Sequence, residues 1–185
     1  MNKAFIFLYP QPEIFEYELR NEDKEFKEHY KNALNRCIDQ RYRKSNFSIY
    51  YALLDDCIVS DVIVAKSTDK IIYVGMDVRT HRTKVDGKYS YPDQDFILNQ
   101  MMPITMISIG GFHAYDCCSK LAQRAHERGI DTFIDEDLTQ FFRMRFQHPD
   151  FKLEQYPSVN PRTQIKNPIL WESFLEVREG KPWLI

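Results

Sequence analysis

The residues best suited to do chemistry in this chain stand together at Gly110-Gly111-Phe112-His113-Ala114-Tyr115-Asp116-Cys117-Cys118. A cysteine in the first turn of a helix has its thiolate favoured by the free N–H groups and the positive end of the helix dipole. Cys117 and Cys118 both stand at that place, so either is a candidate nucleophile, and His113 could relay a proton beside them. The plain alternatives stay open: an inert half-buried thiol for Cys117, a hydrogen-bonded surface group for His113, a core thiol for Cys118. The vicinal pair Cys117-Cys118 also invites a redox reading, but adjacent cysteines in a helix are badly placed to bridge each other.

These residues need elements to hold them. Ile104 to Ile109 is a continuous apolar run, and Tyr115 to Arg128 places Leu121, Ala122 and Ala125 at helical spacing before Gly129 ends the helix. Ile130 to Ile134 forms the next strand, closed by Asp135-Glu136-Asp137, which is read as a cap on the following segment at the pocket edge. A strand, a helix and a strand in so few residues predict a crossover unit of a parallel sheet. Ala4 to Tyr9 is another buried strand, closed by Pro10 and Pro12. Asn21 to Arg43 is a long amphipathic helix on Phe26, Tyr30, Ala33, Leu34, Cys37 and Ile38. Phe47 to Leu54, Asp61 to Lys66 and Lys70 to Met76 read as strands, His81 to Lys88 as a basic surface loop, and Pro92 as the start of a short helix. Gly110-Gly111 reads as a tight turn. In open parallel sheets ligands bind beyond the carboxyl ends of the strands. That rule selects Tyr9-Pro10-Gln11, residues 110–118, and Asp135 to Thr139.

The stretch from Ile107 to Cys118, continuing through Ala122, Ala125 and Gly129 to Glu136-Asp137, resembles the nucleophile region of the isochorismatase-like cysteine hydrolases, a superfamily that includes nicotinamidases. Ala4 to Phe15 is similar to that family's first strand, with Gln11 and Phe15 at matching positions. The resemblance implies a three-layer α/β/α sandwich on a mainly parallel sheet, and hydrolysis of a small amide or related carbonyl compound, with Cys117, by its count from Gly111, as the nucleophile and the turn amides from His113 to Cys117 as the oxyanion hole. It also implies substrate contacts at Tyr9, Gln11, Phe112, Ala114 and Asp137, and a lysine beside the thiol, for which Lys84 is the candidate, with Lys66 and Lys88 as others. The chain departs from the pattern twice. Tyr9 stands where the family's catalytic aspartate belongs, and Ala114 where it has threonine; a tyrosine of ordinary pKa ~10 is a poor base at neutral pH. Glu13 and Asp116 are the acids that could take over. The resemblance therefore carries an alternative, a catalytically inactive member of the same fold that binds a metabolite or partner.

Composition bounds the rest. The chain has 185 residues, 43% of them hydrophobic and 14% aromatic, with Lys+Arg 25 against Asp+Glu 27. One α/β domain is expected, with a core over about 1–140 and a C-terminal extension over 141–185: an extended segment from Phe141 to Asn167, then a short helix over Ile169 to Val177. Balanced charge argues against nucleic acid or an anionic membrane as partner. No apolar run approaches the ~18 residues of a membrane span. Four cysteines without CxxC spacing or a secretory signal point to a reducing cytoplasm. The Asp77 and His81 region lacks a clear metal-binding cluster, and Gly110-Gly111 lacks the further glycines of a dinucleotide fingerprint, so no metal and no cofactor are expected. The expected partners are a small-molecule ligand and a second copy of the chain, in a dimer or higher homo-oligomer, with the 141–167 segment at the interface.

Overall fold

A computed structural model describes residues 2–143 and 175–184. Five parallel strands form the central sheet: β1 (Lys3–Leu8), β2 (Ser48–Leu53), β3 (Lys70–Tyr73), β6 (Met106–Gly111) and β7 (Asp131–Thr139), in the order β3-β2-β1-β6-β7. The central strands alternate their side chains between two cores, while the edge strand β3 buries Ile72 alone. Phe5 and Phe7 of β1 meet α1 (Pro12–Glu18) and α2 (Lys24–Arg41) through Phe15, Tyr30, Leu34 and Ile38, while Ala4, Ile6 and Leu8 face the other way onto Ile97 and Leu98 of α4 (Gln94–Asn99) and Leu121, Ala122 and Ala125 of α5 (Ser119–Glu127). A continuous apolar strand is what burial on both faces requires. The three-layer α/β/α sandwich expected from the sequence is the observed architecture.

The strand order reverses between β1 and β6, which pair from Lys3↔Met106 to Leu8↔Gly111. This is the switch point where chains leave opposite faces and a crevice opens. Gly111 makes the close approach possible. It adopts φ +106°, and a Cβ there would lie 2.2 Å from the Leu8 carbonyl oxygen. The expected turn at Gly110-Gly111 is thus the end of a strand.

Three other expectations need correction. Asp61 to Lys66 is not a strand, because the Asn35 side chain of α2 bonds the Val62 carbonyl and the Val64 N–H, both at 2.7 Å, so those backbone groups are satisfied without a sheet. His81 to Lys88 is not a plain loop. Asp77 accepts the Thr80 N–H at 2.6 Å and caps α3 (Val78–Arg82), which leads into a hairpin of β4 (Lys84–Val85) and β5 (Lys88–Tyr89). Its turn residues Asp86 and Gly87 have φ +53° and +76°, the type I′ geometry that an Asp-Gly pair favours. Asp135-Glu136-Asp137 is no cap either; it belongs to β7, whose pairing with β6 shifts register between Ile134 and Thr139.

The acidic run stays in the strand because its carboxylates have buried partners. Arg41 Nη1 donates to Asp135 at 2.7 Å and Nη2 to Asp137 at 2.9 Å, and the Tyr42 hydroxyl bonds Asp135 at 2.5 Å and Ser108 at 2.7 Å. Glu136, on the opposite face, accepts the Tyr115 hydroxyl at 2.6 Å and Arg178 at 2.8 Å. From the expected C-terminal extension, the described part is a short helix Leu175–Arg178 and residues to 184. There the Trp183 carbonyl accepts the Ile134 N–H at 2.8 Å, and Trp183 Nε1 donates to Ser119 at 3.3 Å. Most of the expected 141–167 segment lies outside the described residues. No described helix is long and apolar enough to cross a membrane.

Candidate functional site

A cavity of about 310 Å³ opens at the carboxyl ends of β1 and β6. Tyr9 and Gln11 follow β1, Phe112 and His113 follow β6, and a one-turn π-helical segment Ala114–Cys118 carries Asp116 and Cys117 into the lining before α5 begins. The remaining wall comes from Val78, His81 and Arg82 of α3 and from Tyr89 and Tyr91 of the hairpin.

Tyr9 holds a left-handed backbone conformation, φ +56°, which a bulky side chain adopts at a cost of about 1–3 kcal/mol. The cost is offset by firm anchoring. Its N–H donates to the Ala52 carbonyl at 2.8 Å, and its carbonyl accepts the Gln11 N–H at 2.8 Å. The ring is buried, tilted against His81 at 6.0 Å between centroids, and His81 meets Tyr91 edge-on at 5.7 Å. His81 Nδ1 donates to the Ser90 carbonyl at 2.7 Å, so Nε2 is the nitrogen left for other work. Gln11 Oε1 accepts the Leu54 N–H at 3.1 Å, which fixes the side chain and leaves its NH2 as the free end.

The electrostatics around the thiol run against a thiolate. Burial, reinforced by the Asp116 carboxylate, pushes the Cys117 pKa up to about 12. Its polar neighbour is Asp116 Oδ2 at 4.0 Å, and that oxygen also accepts the Tyr91 hydroxyl at 3.0 Å. Desolvation, with the neighbouring thiols and Asp116 adding to it, drives the Tyr9 hydroxyl above its ordinary range, so it keeps its proton and can only donate or accept a hydrogen bond. Several of the turn amides are already engaged. Ala114 N–H donates to Gln140 Oε1 at 2.8 Å, and the N–H groups of Asp116 and Cys118 donate to the His113 carbonyl at 3.2 and 3.1 Å.

Of the residues singled out in the sequence, the cavity brings together Tyr9, Gln11, Phe112, His113 and Cys117, with Asp116 as the acid at hand. Four others lie off its lining. Lys84 is exposed on β4 with its ammonium 4.7 Å from the Tyr89 ring centre, Ala114 is packed with Phe141, Asp137 faces Arg41 across the other core, and Glu13 is exposed on α1. Cys118 and Cys37 are core thiols, as expected, and Cys118 Sγ reaches the Gly110 carbonyl at 3.5 Å. His81, Arg82, Tyr89 and Tyr91 were missed as lining residues. The Asp-Gly turn flanked by them was the available signal. Among the described residues no group of three His, Cys, Asp or Glu side chains is arranged to hold a metal ion.

No protein-family model and no curated protein matches the chain. Among solved structures, a candidate MAR1 ribonuclease from Leishmania major superposes with TM-score 0.50 at 10% identity, over 98% of this chain and 93% of that one. The parallel sheet between helices is the architecture the sequence resemblance implied, with Cys117 in the helical segment Ala114–Cys118 that leads into α5. The likeness is one of fold, a parallel sheet between two layers of helices. Further similarities are to a candidate MAR1 ribonuclease from Leishmania donovani (TM-score 0.47, 12% identity, 75% of this chain and 66% of that one) and a candidate isochorismatase from Burkholderia xenovorans (0.48, 14%, 74% and 66%). At such identities likeness concerns architecture alone.

Proposed function

We propose that this chain keeps the crevice of the isochorismatase-like fold as a small-ligand binding site and has given up thiolate hydrolysis. The observation that carries the reading is the pairing of Tyr9 with Cys117. Where the family's chemistry needs a carboxylate to take the thiol proton, the chain has a buried phenol that holds its own, and the thiol beside it is raised to about 12. The one carboxylate among the described lining residues, Asp116, opposes ionisation of the thiol and is itself bonded by Tyr91. The test is the alkylation rate of Cys117 against pH in a Cys118→Ser background. An inflection well above ~8.5 is expected. An inflection below that value, joined by an amide hydrolase activity that Cys117→Ala abolishes, would overturn the proposal.

A second reading rests on a different observation: His81, Arg82 and His113 line one cavity. Two imidazoles and a guanidinium are what cleavage of an RNA phosphodiester asks for, the activity named for the Leishmania major protein. One imidazole takes the 2′-hydroxyl proton as that oxygen bonds phosphorus; the other protonates the departing 5′ oxygen, and the product ends in a 2′,3′-cyclic phosphate. Loss of about 10²–10⁴ in rate on His81→Ala or His113→Ala, with Cys117→Ala unaffected, would support it. Intact single-stranded RNA after prolonged incubation would dismiss it.

A further inference from the structure

We infer that the cavity takes a nucleotide unit, its base among the aromatic rings and its phosphate at the mouth beside Arg82. The inference rests on reading the cavity as a ligand site, and three separate features of the wall support it.

The first is a pair of donors on otherwise buried residues of the lining. Gln11 is 3% exposed and its carbonyl oxygen is taken by Leu54, so its NH2 is a fixed donor with no protein acceptor among the described residues. The Tyr9 hydroxyl, in a residue 4% exposed, likewise has no partner among them. Donors held in place and left to the cavity are what a ligand acceptor can engage. Asp116 supplies the complementary acceptor on the other side. Ring nitrogens, a ring carbonyl and an exocyclic amine, the edge of a nucleobase, match that set of donors and acceptor.

The second feature is the rings. Tyr9, His81 and Tyr91 form a continuous aromatic run, and Phe112 and Tyr89 line the same space. Such rings hold a flat heterocycle by its face. The third is the mouth, where Arg82 is the exposed cation of the described lining. Its guanidinium offers a phosphate the two-pronged contact, and Arg79, Lys84 and Lys88, off the lining, keep the same α3–hairpin segment basic.

Calorimetric titration of the full chain with AMP, GMP, CMP and UMP tests this, against adenosine, inorganic phosphate and benzoate. At least one mononucleotide is expected to bind about tenfold or more tightly than adenosine, phosphate or benzoate. Arg82→Ala should weaken that nucleotide about tenfold and flatten its salt dependence while leaving adenosine unchanged, and Gln11→Leu should weaken nucleotide and nucleoside alike. A 5′-phosphorylated dinucleotide added to the series separates two sources of the same chemistry. Equal affinity supports a chain-terminal nucleotide, and weaker affinity a free one. Benzoate binding as tightly as every mononucleotide, or no mononucleotide binding up to millimolar concentration, overturns the inference. If benzoate alone then shields Cys117 from alkylation, the ligand-site reading survives; if nothing binds and Cys117-dependent amide hydrolysis is found, both fall together.

Discussion

Two clusters of buried polar groups flank β6, and they are built on opposite plans. On the α2 side, Arg41, Asp135, Asp137, Tyr42 and Ser108 bond one another at 2.5–2.9 Å, with Arg41 and Asp135 almost wholly out of solvent. At the carboxyl ends of the strands, Tyr9, Gln11 and Cys117 are nearly as buried, yet the first two keep donors without a protein acceptor among the described residues. The closed cluster ties a helix to an edge strand and can be judged by stability. The open one keeps unmet donors in a strained backbone, the mark of a site shaped for something else.

The contrast is sharpest if the cation of the closed cluster is removed. Arg41→Met leaves two buried carboxylates uncompensated and should cost about 3–5 kcal/mol, measured by urea unfolding, whereas Arg41→Met with Asp135→Leu and Asp137→Leu should recover most of the loss. Alkaline pH tests both clusters at once. Burial holds Cys37 near the first and Cys117 in the second at about 12, above the ~8.5 of an unfolded thiol. A folded pKa raised in this way means full stabilisation below the unfolded value and loss between the two. Stability should therefore fall between about pH 9 and pH 12, by up to about 1.4 kcal/mol per pH unit for each thiol, and replacing either with alanine should flatten the slope. Two matched substitutions divide the clusters by their hydroxyls. Tyr42→Phe breaks the bonds to Asp135 and Ser108 and should cost about 1.5–3 kcal/mol. Tyr9→Phe removes a hydroxyl with no protein partner among the described residues and should shift stability by about 0.5 kcal/mol or less, while weakening nucleotide binding. Equal costs for the two would mean that the clusters are built alike.

What was legible in the sequence follows the range of the interactions. β1 and the β6–α5–β7 unit are written in local periodicity, and the pocket residues Tyr9, Gln11, Phe112, His113 and Cys117 sit at strand ends that such periodicity locates. The errors came from distant partners. Val62, Ile63 and Val64 have the composition of a strand, but an asparagine 27 residues away takes the backbone bonds a strand would need. Asp135 and Asp137 look like solvent-facing acids until Arg41, 94 residues from the first of them, is folded against them. The α3–hairpin wall was lost for another reason. Its Asp-Gly turn was local and readable, but the polar residues around it suggested a surface loop, and only the fold turns Tyr89 and Tyr91 toward Tyr9.

The hold of Trp183 on Ile134 has a consequence for how copies of the chain can meet. Because the Trp183 carbonyl takes the Ile134 amide, part of the outer rim of β7 is already spent, while β3, with Ile71 and Tyr73 turned outward, has no strand beyond it among the described residues. Among the described residues the sheet therefore has one open rim, enough to pair with one other copy and stop. Trimming the chain after Glu179 would free the Ile134 amide on the second rim, and such molecules are expected to add end to end. Residues 180–184 would on that account terminate the sheet, and their loss should appear as turbidity or fibres rather than as a simple fall in melting temperature.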